Sequence, residues 1–83
     1  MTAVLLPAVL AALRGHGLDP APGDTPEALR ERLNDLYLEE VRRLKERQRA
    51  GTIPLREYGD HVRALKERFP LLGLPLGSWL ARS

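Results

Sequence analysis

His16 and His61 are the only imidazoles in this 83-residue chain, and cysteine is absent. Catalysis therefore has little to stand on. His16 lies in a glycine-flanked loop, while His61 follows Glu57 by four residues, a spacing that puts both on one face of a helix. A metal site needs convergent ligands, such as a second His at i+4, and neither histidine has one. A solvated helix pair accounts for Glu57 and His61 more simply. The adjacent carboxylates Glu39 and Glu40 point about 100° apart on a helix, so they do not form a paired acid and base. Ser78 and Ser83 lack the Gly-x-Ser-x-Gly setting of an activated nucleophile. The scattered glycines make no phosphate-cradling loop. The expectation is a non-catalytic chain with no cofactor, no metal and no small-molecule substrate.

The sharpest local signal is basic. Arg42, Arg43, Lys45, Arg47 and Arg49 put five cations against the single anion Glu46 in eight residues. With Arg56 and Arg63 nearby, they could contact nucleic-acid phosphates without reading bases, more strongly at low salt. No aromatics interleave with the run, as a single-strand binder would require. A structural reading competes with this one. Glu27, Glu31 and Asp35 lie near the start of the same helix and the cations near its end, which suits the helix dipole. Glu39–Arg42, Glu39–Arg43 and Glu40–Arg43 also have the i+3 or i+4 spacing of helix ion pairs, worth about a few tenths of a kcal/mol each.

The elements that would position these side chains follow from periodicity. Leu29, Leu33, Leu36, Tyr37, Val41 and Leu44 recur at helical spacing and fall within an arc about 140° wide. Thr25 is suited to cap this helix, Pro26 to open it and Gly51 to end it in the left-handed conformation, giving a helix over 26–50. Tyr58, Val62, Leu65 and Phe69 form a second stripe with Leu55 on its flank, bounded by Pro54 and Pro70, giving a helix over 54–69. Thr52 and Ile53 both remain candidates for its cap. A Gly51-Thr52-Ile53-Pro54 turn predicts an antiparallel helical hairpin, stripe against stripe. Leu38 projects away from the stripe, whereas Glu40 and Arg47 fall inside it. In a dimer, Glu40 of one copy could face Arg47 of the other.

The stretch Leu44–Leu65 resembles the short C-terminal helical-hairpin domain known as SHOCT. The pattern is a charged helix with spaced leucines, then Gly-x-Ile, a short gap, Glu-aromatic, and a helix with a basic residue and leucine. Here those positions are Leu44, Gly51, Ile53, Glu57, Tyr58, and Arg63 or Lys66 with Leu65. Pro54 stands where the family usually has a Ser or Thr cap. The resemblance covers about a third of the chain and implies oligomerisation or partner contacts, with no catalytic residues to transfer.

The rest of the chain is read around the hairpin. Val4 to Leu13 is apolar nearly all round and predicts a short buried helix over 7–14, opened by Pro7 and ended by Gly15. It lacks the basic n-region of a signal peptide and the length of a membrane span. Gly15 to Asp24 reads as a loop. Residues 70–83 read as an extended apolar arm, with Ser78 capping a last turn that bears Trp79 and Leu80. The net charge of +2 is uneven, with −4 in residues 1–41 and +6 in residues 42–83. The overall expectation is a single all-α domain, placed in the cytoplasm by its lack of cysteine. Its partner is expected to be a second copy or another protein, with no membrane and with nucleic acid as the second choice. The candidate interface residues are Leu36, Tyr37, Leu38, Tyr58, Phe69, Leu72, Leu74 and Trp79.

Overall fold

Three α-helices account for most of residues 5–80, the part of the chain described by the structure, a computed structural model. They are α1 (Pro7–Gly15), α2 (Pro26–Arg49) and α3 (Leu55–Arg68), followed by 3-10 turns at Pro70–Gly73 and Leu76–Trp79. No strand forms among the described residues, where β-type pairing is limited to an isolated antiparallel bridge between Leu5 and Leu80. The chain is all-α. Val4 and Ser83, singled out above, lie outside the described residues, as does the end of the 70–83 arm.

Helix ends are set by proline, threonine and glycine. Pro7 opens α1 after an extended Leu6, where its missing N–H is no loss. Gly15 is the last residue of the helix and not the left-handed residue that closes it, and His16 is the C-cap. The closure falls at Gly17, whose φ is +82°, while the Gly17 N–H donates to the Arg14 carbonyl and the Leu18 N–H to the Leu13 carbonyl, both at 2.9 Å. This is the paired closure of a Schellman motif. Closure at Gly17 places the apolar Leu18 opposite Leu13, whereas closure at Gly15 would set the polar His16 opposite Ala11. The former is the pairing the motif favours.

Thr25 caps α2 as expected: its Oγ1 accepts from the Ala28 N–H at 3.1 Å. The preceding loop is tied to the helix by Asp24, whose carboxylate accepts from the Ala21 N–H at 2.8 Å and lies 3.5 Å from Arg32 Nη1. At the other end, Gly51 has φ +80°. Its N–H donates to the Gln48 carbonyl at 3.1 Å and the Thr52 N–H to Arg47 at 2.9 Å, a second Schellman closure. Neither Thr52 nor Ile53 caps α3. The Thr52 N–H already serves the end of α2, and Ile53 is buried. Pro54 takes the cap position with φ −61° and ψ 144°, and its carbonyl accepts from the Glu57 N–H at 2.9 Å.

After Pro70 the backbone coils instead of extending. The Leu74 N–H donates to Leu71 at 3.1 Å and the Ser78 N–H to Pro75 at 2.9 Å. Ser78 lies within the second 3-10 turn, whose cap position is held by Pro75. Pro70 opens the first turn, where its fixed φ suits a 3-10 helix, and Pro75 precedes the second in an extended conformation.

The chain divides into two compact units, Met1–Asn34 with Leu71–Ser83, and Asp35–Pro70. In the first, Val9, Leu13, Leu29, Leu33, Leu71 and Trp79 are buried, with Trp79 fully enclosed. The Trp79 indole N–H donates to the Leu71 carbonyl at 3.3 Å, and its own carbonyl accepts from the Leu6 N–H at 2.9 Å. Arg30 Nη2 lies 3.5 Å from the Leu72 carbonyl. In the second unit Ile53, Leu65 and Phe69 are buried, and the Phe69 ring meets Tyr37 edge-on, with centroids 5.5 Å apart.

Candidate functional site

The residues that could carry chemistry are dispersed. His16 sits at the C-cap of α1 and His61 on α3, both half-buried. Among the described residues no three His, Asp or Glu side chains gather where they could hold a metal ion. Glu57 is exposed on the first turn of α3. Ser78 is exposed within its 3-10 turn. Glu39 and Glu40 face arginines instead of each other: Arg42 Nη1 is 3.4 Å from Glu39 Oε2, and Arg43 Nη1 is 3.0 Å from Glu40 Oε1. The i+4 partner spacing of Glu39 and Arg43 goes unused, because Arg43 turns to Glu40.

The basic run occupies the last turns of α2 and is exposed at each of Arg42, Arg43, Lys45, Arg47 and Arg49. Its first two cations are drawn into the ion pairs just described. Lys45, Arg47 and Arg49, with Arg56 on α3, form no ion pair with any described residue, while Arg63 lies 3.9 Å from Asp60. Pairs this exposed are worth about 0–1 kcal/mol. Surplus charge of the opposite sign also remains nearer the start of the helix, since Glu27, Glu31 and Asp35 are exposed and without an ion-pair partner among the described residues.

The expected interface residues divide by exposure. Trp79 and Phe69 are buried, so they pack the fold and offer no surface to a partner while it holds. Leu36, Tyr37, Tyr58 and Leu72 are half-buried. Leu38 and Leu74 stand open, at 49% and 43% of their full exposure. Leu55, expected on the flank of the α3 stripe, is 72% exposed as the first residue of that helix. Val41, one turn beyond Leu38, is half-buried.

No helix among the described residues is long and apolar enough to cross a membrane. Compared with protein-family models, with curated proteins and with solved structures, the chain finds no match.

Proposed function

We propose that this chain is a non-catalytic helical module that associates with a second copy of itself, and that it works in the cytoplasm. In this reading α2 and α3 form an antiparallel hairpin, with the segment after Pro70 as an apolar arm. Two features support the hairpin: the left-handed turn at Gly51 and the ring contact between Tyr37 and Phe69, which joins residues well to either side of that turn. The resemblance of Leu44–Leu65 to the SHOCT hairpin points the same way.

Self-association rests on one observation, the incomplete cover of the Asp35–Pro70 unit. Only Ile53, Leu65 and Phe69 are buried among its apolar side chains; Leu36, Tyr37, Val41, Leu44, Tyr58 and Val62 stay half-open, and Leu38 is exposed. A unit of this size is below what a lone core ordinarily stabilises, and oligomerisation is a usual remedy. Light scattering on the purified chain at tens of micromolar is expected to give about twice 9.3 kDa. A mass of one chain under those conditions removes the reading.

A second reading, phosphate-backbone binding, is favoured by the unpaired Lys45, Arg47, Arg49 and Arg56. It expects retardation of duplex DNA or RNA at low salt that fades steeply as salt rises. Free migration at low salt disposes of it.

A further inference from the structure

The outward side of α2 is charged in a pattern that matches itself when reversed. Glu27, Glu31, Asp35, Leu38, Arg42, Lys45 and Arg49 are all exposed, and helical periodicity places them within an arc about 80° wide. Every charge before Leu38 in this row is negative and every charge after it is positive. Glu31 and Lys45 lie seven residues to either side of Leu38, about 10.5 Å along the axis, and Glu27 and Arg49 lie eleven, about 16.5 Å. Glu27, Glu31, Asp35, Lys45 and Arg49 make no ion pair with any described residue. These five charges are therefore open to a neighbour.

From this we infer that two copies pair through α2 in antiparallel fashion, with a two-fold axis passing beside Leu38. The inference deepens, and rests on, the self-association reading. Leu38 meets the partner's Leu38, with the half-buried Val41 of each copy at the edge of that apolar centre. Lys45 then faces the partner's Glu31, and Arg49 the partner's Glu27. The two-fold axis repeats each pair, which is how a symmetric dimer uses a single self-complementary patch. A parallel arrangement would set like charge against like along the whole row, so the charges select the orientation as well as the partner.

The test is a charge swap. One variant carries Lys45→Glu and Arg49→Glu; the other carries Glu27→Lys and Glu31→Lys. Alone, each row has a single dominant sign, and the dimer dissociation constant is expected to rise by about tenfold or more. Mixed in equal amounts, the two variants complement each other, and the mixture is expected to recover the dimer mass by light scattering. Glutamine versions of the same pairs, which are gentler on the helix dipole, are expected to weaken association less and to be rescued in part by mixing, since the Glu27 and Glu31 kept by one variant meet the Arg49 and Lys45 kept by the other. If both charge-reversed variants self-associate as tightly as the parent, or if their mixture stays monomeric, the pairing through α2 is wrong while self-association stands. A monomeric parent chain removes both.

Discussion

At the scale of single residues, Trp79 carries the most. It is fully enclosed, its indole N–H is satisfied by the Leu71 carbonyl, and its backbone carbonyl holds the Leu6 N–H. Truncation to Ala removes a large buried side chain and leaves a carbonyl short of its donor, a cost of about 3–5 kcal/mol by analogy with core aromatics. Native stability in small domains is about 5–15 kcal/mol, so much of it would go. Trp79→Phe keeps most of the apolar bulk and loses the hydrogen bond, and is expected to cost about half as much or less. Urea unfolding followed by far-ultraviolet circular dichroism separates the two. Equal midpoints for Trp79→Ala and the parent chain would show that the tail does not hold the first unit together. This tryptophan was legible as a large apolar residue near the terminus. What was not legible was whether it faced its own chain or another, because periodicity assigns a face and says nothing of depth. The same holds along α2, where Leu29 and Leu33 are buried while Leu36, Tyr37, Val41 and Leu44, on the same stripe, are only half-covered.

At the scale of elements, the termini of the helices show which local signals suffice. Thr25, Pro26 and Gly51 act as their types dictate, since each forms bonds with residues only a few positions away. Pro54 and the tail prolines were harder to read, because the competing cap candidates Thr52 and Ile53 were committed elsewhere, one to the closure of α2 and one to burial. Gly15 and Gly17 were harder still: both can close a helix, and the choice is between setting Leu18 opposite Leu13 and setting His16 opposite Ala11. This choice predicts opposite outcomes for the same substitution two residues apart. A Cβ added at either glycine meets nothing within 4 Å, so only the backbone decides. Gly17, at φ +82°, is expected to lose about 1–2 kcal/mol on change to Ala. Gly15, inside α1, is expected to gain about 0.5–1 kcal/mol. Thermal unfolding of the two variants reads the difference in sign, and a loss at Gly15 with none at Gly17 would move the left-handed closure to Gly15.

At the scale of the whole molecule, nine apolar side chains are buried among the described residues, and no polar or charged side chain is. Such a core is thin, and the charges that surround it are segregated along the sequence instead of mixed. If association with a second copy supplies part of the folding free energy, stability must depend on protein concentration by mass action. Each tenfold rise in concentration contributes about 1.4 kcal/mol per dimer, or about 0.7 kcal/mol per chain. For a domain of this size about 1 kcal/mol moves the melting temperature by about 4–8 °C, so a tenfold step is expected to raise it by about 3–6 °C. Salt gives a second axis. The Lys45, Arg49, Glu27 and Glu31 side chains are exposed, so their attraction across the two-fold axis is screened as the Debye length falls from about 10 Å at 0.1 M to about 3 Å at 1 M. The concentration dependence should therefore set in at higher protein concentration as salt is raised. Apolar association through Leu38 and Val41 alone would not weaken in this way, because salt leaves hydrophobic burial intact or strengthens it. A melting temperature that stays constant over a hundredfold range of concentration would instead mean that the chain folds alone and that its charged row faces only water.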